Sequence, residues 1–91
     1  MKEKVFTVKS KMGLHARPAA ALVHLLQKFE SHVRVRRDDQ EVDAKSIMGL
    51  LTLTAEFGAP LTLLAEGPDE EAVMADLEEF FERRIVEEDM D

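Results

Sequence analysis

The segment with the clearest chemical potential is residues 12 to 19, which read MGLHARPA. His15 can act as a nucleophile there, because a neutral imidazole is available near neutral pH. Arg17 follows two residues later and offers a planar fork of donors that matches phosphate oxygens. Pro18 suits the first turn of a helix, since its φ is preset and its missing N–H is not needed there. The spacing predicts a histidine at the start of a helix.

The start of a helix is a ready anion site, because it presents backbone N–H groups and the positive end of the helix dipole. Ala16, Arg17 and Pro18 would then bind a phosphate, with Arg17 adding its own charge. The favoured interpretation is that His15 takes a phosphoryl group and that this helix start stabilises it. The alternative is that His15 is a polar residue in an exposed loop.

Apolar periodicity predicts the elements around this segment. Residues 4 to 9 alternate as a half-buried strand, and residues 16 to about 29 have a helical apolar face. Arg17, Ala20, His24 and Gln27 fall on a separate, exposed stripe of that helix. Two strands follow at residues 33 to 36 and 41 to 43.

The second half of the chain supplies two more helices and one more strand. Ser46 is a good N-cap for a short helix from residue 47 to about 53, and residues 61 to 66 form the fourth strand. Asp69 is expected to cap the last helix, with residues 86–91 as a frayed acidic tail. The order βαββαβα predicts an α+β open-faced sandwich, with a four-stranded antiparallel sheet and helices on one face. The methionines other than Met48 are expected to fill the core.

Composition limits the possible classes of protein. The 91 residues fit one domain, residues 1–91, and the absence of cysteine excludes disulfides and thiolate metal sites. The net charge of −7 argues against nucleic-acid binding. Residues 1–45 carry 10 basic and 6 acidic residues, whereas residues 46–91 carry 2 basic and 13 acidic ones. The half containing His15 therefore suits a partner with an acidic surface. The alternative is that its basic residues only occupy exposed strand positions and bind no partner.

The segment from Gly13 to Ala19 resembles the active-site signature of HPr, the histidine-containing phosphocarrier family of the bacterial phosphotransferase system. Residues 45 to 49, KSIMG, look like that family's second signature, and the similarity covers about residues 3 to 85. The resemblance implies a carrier rather than an enzyme. His15 would accept a phosphoryl group from enzyme I, ultimately from phosphoenolpyruvate, and pass it to an enzyme IIA domain. No apolar run approaches the length of a membrane span, and residues 1–11 carry four lysines without a secretory apolar segment, so we expect a cytoplasmic protein without membrane insertion. We also expect a monomer.

The same resemblance implies two further sites. Ser46 corresponds to a serine that a kinase phosphorylates for regulation in some members, although helix capping alone would explain a serine there. Ile47, Met48 and Leu51 would form a partner-binding patch with Ala20 and His24. The alternative is that the three residues of the short helix are buried.

Some residues depart from the family pattern. His24 and Gln27 occupy positions that often hold Lys or Arg in the sugar-transport branch, and Thr54 stands where Gly is common. The acidic last helix is more similar to the nitrogen-related branch, so the pathway stays open. The alternative function is a mainly regulatory binding protein of a nitrogen-related or carbon-control branch. A small phosphatase on a similar scaffold would need a water-orienting amide, for which the chain offers only Gln27 and Gln40. We expect no cofactor and no metal, since His24 and His32 lack accompanying ligands.

Overall fold

The fold is a four-stranded antiparallel sheet covered on one face by helices. The computed structural model describes residues 1–88, and it confirms the predicted fold class and element order. The elements are β1 (Lys2–Thr7), α1 (Ala16–Leu26), β2 (His32–Arg37), β3 (Gln40–Asp43), α2 (Ile47–Thr52), β4 (Pro60–Glu66), α3 (Glu70–Glu79), a π-helical segment (Phe80–Arg84) and α4 (Ile85–Glu87). Among the described residues, no helix is long and apolar enough to cross a membrane.

The sheet has the strand order β1-β4-β2-β3. Alternation places one apolar set on the helix side, where Phe6 lies opposite Leu61 and Val35 lies opposite Leu63. These side chains are almost completely buried and form one core with the inner faces of the helices. Because β1 pairs with β4 as far as Thr7 and Pro60, Val8, the residue after β1, is brought close to the loop that precedes β4.

Helix α1 has the predicted two-sided character. Its buried side includes Ala19, Leu22 and Leu26, whereas the predicted stripe of Arg17, Ala20, His24 and Gln27 is exposed. The helix ends at Leu26 rather than near residue 29. The N–H groups of Gln27 and Phe29 bond to carbonyls three residues earlier, which tightens and closes the last turn.

The last helix differs from the prediction at both ends. Asp69 is the N-cap residue of α3, as predicted, but its carboxylate makes no capping bond to the helix. The carboxylate instead accepts hydrogen bonds from the N–H groups of Glu30 and Ser31 and from the Ser31 hydroxyl, and so ties α3 to the loop before β2. Val86 belongs to α4, so the expected tail begins with helical residues, and residues 89–91 lie outside the described part. Phe81, in the π-helical segment, stacks on Phe6 with ring centroids 5.0 Å apart.

The charge asymmetry of the chain is partly neutralised inside the molecule. Lys4 Nζ lies 2.6 Å from a carboxylate oxygen of Glu78, and Lys9 Nζ lies 2.5 Å from one of Glu82. Lys2 pairs with Glu71 in the same way. The basic first strand therefore lies along the acidic last helix, and most N-terminal lysines serve this contact. Each such exposed pair contributes little stability, about 0–1 kcal/mol.

Candidate phosphate site around His15

His15 is the N-cap of α1, as the sequence predicts. Its backbone is extended, with φ −83° and ψ −173°, and its carbonyl accepts the Ala19 N–H at 3.0 Å. Within residues 1–88 the imidazole makes no capping bond to the helix. The first turn contains Ala16 and Arg17, both exposed, and the buried Pro18. One positive side chain and the helix dipole thus act together at this point.

The ring of His15 is half-buried, and the accessible surface of its Nε2 atom is almost nil. A tight turn fixes the backbone that carries this ring. The Gly13 N–H bonds to the Ser10 carbonyl at 3.0 Å, and the His15 N–H bonds to the Gly13 carbonyl at 2.9 Å. Gly13 has φ 75°, which a residue without Cβ adopts without strain. Leu14 is buried in the core, so its side chain holds the turn against the body of the protein.

A second loop, residues 53–59, lies against this turn. The Leu14 N–H donates to the Ala55 carbonyl at 2.8 Å, and the Gly58 N–H donates to the Val8 carbonyl at 2.7 Å. A Cβ built on Gly13 would lie 2.2 Å from the Ala55 oxygen. The two loops are therefore in direct backbone contact immediately beside His15.

The residues predicted to form the partner-binding patch lie on two neighbouring helices, α1 and α2, which contact each other. Ala20 and His24 are exposed on α1. On α2, Met48 is 74% exposed and Ile47 is 39% exposed. Leu51 is half-buried and packs against the core, so it offers only part of its side chain.

Ser46 is the N-cap of α2, which confirms its predicted structural role. Its hydroxyl oxygen accepts the Gly49 N–H at 3.0 Å, and the residue is half-buried. Lys45 is directed away from this cap, because its ammonium donates to the Phe29 carbonyl at 2.8 Å. The cap therefore lies next to the exposed side chains of Ile47 and Met48.

Two exposed apolar residues near the site were missed by sequence reasoning. The expectation that methionines other than Met48 fill the core is wrong for Met12, which is 77% exposed, and for Met1, at 65%. Phe57, in the loop that contacts the His15 turn, is 62% exposed. The position of Met12 between a lysine and a glycine, outside any apolar period, is the sequence signal that could have indicated exposure.

Comparison with known proteins places this geometry in a family. The family model described as the PTS HPr component phosphorylation site matches residues 2–83. The chain belongs to the HPr family. It is therefore a phosphocarrier-family protein of the phosphotransferase system, and the matched span contains both His15 and Ser46.

Individual relatives agree with this assignment. The chain is 41% identical over 85 residues to the phosphocarrier protein HPr of Treponema pallidum, covering 93% of this chain and 97% of that protein. A crystal structure of HPr from Thermoanaerobacter tengcongensis is similar with a TM-score of 0.89 and 44% identity, over 93% of this chain and 96% of that one.

A third relative belongs to a different group of the family. The structure of Crh from Bacillus subtilis, described as a catabolite repression protein, is similar with a TM-score of 0.74 and 38% identity, over 94% of this chain and 98% of that one. That protein is a dimer with a swapped domain. Our expectation of a monomer accordingly remains a prediction.

Proposed function

We propose that His15 is the phosphoryl acceptor of this carrier, receiving the group from phosphorylated enzyme I and passing it to an enzyme IIA domain. In the first step a ring nitrogen uses its lone pair to form an N–P bond, while the bond between phosphorus and the donor breaks. In the second step a nucleophile of the enzyme IIA domain forms a bond to phosphorus, while the N–P bond to His15 breaks and returns the lone pair to the ring nitrogen. The phosphoryl group is conserved throughout, so the protein is a stoichiometric carrier rather than an enzyme.

The observation that carries this proposal is the position of His15 at the N-cap of α1 with Nε2 buried. A donor approaching from solvent cannot reach a buried nitrogen, so Nδ1 is the proposed nucleophile. Attack requires a lone pair on Nδ1, which places the ring proton on Nε2. The helix dipole and the N–H groups of the first turn would then favour the negative charge brought to this end of α1.

The test is phosphorylation by enzyme I with labelled phosphoenolpyruvate, followed by mass spectrometry to locate the label. We expect an acid-labile, base-stable label on His15, because phosphoramidates have that stability. The His15→Ala variant should take no label, whereas the matched His32→Ala variant should be labelled normally, since His32 lies exposed on β2. Undiminished labelling of His15→Ala would refute the assignment.

Arg17 is proposed to stabilise the transferred phosphoryl group. Its exposed side chain leaves the first turn of α1, two residues beyond His15. A charge-assisted hydrogen bond to phosphate contributes about 1.5–3 kcal/mol, so Arg17→Ala should slow transfer roughly ten- to a hundredfold. Arg17→Lys should recover part of the rate, because the charge remains but the fork geometry is lost. A normal rate in Arg17→Ala would exclude this role.

We also propose a regulatory role through Ser46, with His24, Met48 and the other patch residues as the surface it affects. Two observations favour it: the similarity to Crh, and the position of the Ser46 cap beside exposed Ile47 and Met48. A phosphate there would suit the helix start while adding about two negative charges next to an apolar surface. A mainly regulatory protein would bind its partners unchanged in His15→Ala, whereas a carrier would lose its function.

A further inference from the structure

Arg37, the last residue of β2, reaches from the sheet to the loop beside His15. Its Nη1 atom donates to the carbonyl oxygens of Leu53 at 3.0 Å and Thr54 at 2.8 Å. Its Nη2 atom lies 2.6 Å from the carboxylate of Glu56. The arginine side chain is only 21% exposed, so these three bonds form in a partly enclosed position. One guanidinium thereby holds three residues of a four-residue stretch.

The stretch that Arg37 holds contains a strained residue. Thr54 has φ 46°, in the left-handed region that a β-branched side chain rarely adopts. Such a conformation persists only where the surroundings impose it. The carbonyl of Thr54 is one of the two that Arg37 binds, and the Thr54 hydroxyl donates to the other, that of Leu53.

The strained residue directly precedes the contact with the His15 turn. The Ala55 carbonyl accepts the Leu14 N–H at 2.8 Å, and Leu14 is the residue before His15. A change of backbone conformation at Thr54 would redirect the Ala55 carbonyl. The Leu14 amide would then lose its partner, and the histidine that follows would lose the support that sets its orientation.

We propose that Arg37 is a positioning residue for His15: it holds Thr54 in its left-handed conformation so that Ala55 supports the turn carrying the histidine. This inference rests on the proposed phosphoryl transfer at His15. Within residues 1–88, Arg37 donates its hydrogen bonds to Leu53, Thr54 and Glu56 and not to the imidazole. It acts through two loops, and its contribution is the orientation of the nucleophile.

The charge state of the clamp is stable at neutral pH. The pKa of the Glu56 carboxyl is lowered, first by a hydrogen bond from its own backbone N–H and then by the hydrogen bond and charge of Arg37. Arginine itself stays protonated in proteins. Lysine cannot replace it fully, because a single ammonium does not present a planar fork to two carbonyls and a carboxylate.

The test compares Arg37→Ala with Arg36→Ala. Arg36 is the matched control: it is the neighbouring cation on β2, and its ion pairs are with Glu3 and Glu41. Two quantities are measured in each folded variant: hydrogen exchange of the Leu14 amide, and the transfer rate at saturating phospho-enzyme I. In Arg37→Ala we expect Leu14 exchange to accelerate about tenfold or more. We also expect a transfer rate about ten- to a hundredfold lower, because a small misplacement of a reacting group has that effect.

A rescue variant separates positioning from other roles. In Arg37→Ala/Thr54→Gly, glycine adopts the left-handed conformation without a clamp, so most of the rate and of the Leu14 protection should return. Arg37→Lys should be intermediate, and it serves in place of the alanine variant if that one does not fold. A change in affinity for enzyme I alone, with saturated rate and exchange unchanged, would show a partner contact and overturn the proposal. Faster exchange at an unchanged saturated rate, or failure of Thr54→Gly to rescue, would also overturn it.

The same experiment distinguishes failure of the clamp from failure of the proposed function. If the unaltered protein takes no label at His15, the carrier assignment fails. Leu14 exchange then still decides whether Arg37 holds the loop. If the unaltered protein is labelled but Arg37→Ala matches it in both readouts, the clamp fails while the carrier assignment stands.

Discussion

Replacing Gly13 by alanine should be the most disruptive single-methyl change near the site. The new Cβ would lie 2.2 Å from the Ala55 oxygen, a backbone atom that is itself fixed by its bond to Leu14. Two costs add: the left-handed conformation at φ 75°, and displacement of one loop from the other. The first costs an L-residue about 1–2 kcal/mol. Overpacking adds about 1–3 kcal/mol. Gly13→Ala should therefore lose about 2–5 kcal/mol of unfolding free energy.

Gly58→Ala is the matched control for this prediction. Gly58 has a similar φ of 88°, but an added Cβ meets nothing within 4 Å. It should lose only the conformational part, about 1–2 kcal/mol. Urea denaturation measures the unfolding free energy of both variants. If the dependence of that free energy on urea concentration is the same in each, the shift of the midpoint reports the change in stability.

The phosphorylation assay adds a second readout for the same pair of variants. Gly13→Ala should slow labelling of His15 in its folded fraction, because the turn carrying the histidine has moved. Gly58→Ala should not. Equal destabilisation of the two variants would refute the loop contact on which the site and the Arg37 clamp both depend.

Three further predictions concern other parts of the molecule. Ser46→Ala should lose about 0.5–2 kcal/mol of stability through the lost cap, whereas Ser46→Asp should keep most of it yet slow labelling by enzyme I; equal labelling would leave only the cap. Met48→Asp should weaken enzyme I binding with little change in Tm, and the control Val5→Asp, at a site 58% exposed on β1, should bind normally; a large loss of Tm instead would place Met48 in the core. The pKa of the Asp69 carboxyl is lowered, first by the hydrogen bond from the Ser31 hydroxyl and then by that from the Glu30 N–H. The ionised carboxylate therefore stabilises the fold above the unfolded pKa of about 3.9. That stabilisation is lost as the pH falls through this value and then through the folded pKa. Asp69→Asn should thus be less stable than the unaltered protein at pH 7, with a difference that shrinks below about pH 4; a constant difference would contradict this.

Local patterns were sufficient for most of the fold. Alternation around Phe6 and Val35 identifies strands because the side-chain period of a half-buried strand is visible in a few residues. The caps at His15 and Ser46 were also predictable, since an N-cap and its helix are adjacent in sequence. These signals depend only on neighbours along the chain.

Contacts between distant segments were not predictable in the same way. Asp69 has the right residue type for a cap, but the backbone amides and hydroxyl of the loop before β2 bind its carboxylate instead. The residues next to Asp69 in the sequence do not indicate that Glu30 and Ser31 compete with the helix for its carboxylate.

The candidate site also combines features that are local in sequence with features that depend on contacts between distant segments. The proposed nucleophile His15, the helix start that follows it and Arg17 lie within three residues, so a prediction from the sequence could group them. Burial of Nε2, which selects the proposed nitrogen, depends on the packing of the ring and emerges only in three dimensions. Arg37 is 22 positions from His15 and acts through Thr54, a residue whose left-handed conformation contradicts its type. Strained backbone conformations in proteins cluster at functional sites, where surrounding residues hold them. Thr54 fits that pattern, because Arg37 holds its carbonyl and the next residue, Ala55, contacts the turn that carries the proposed acceptor.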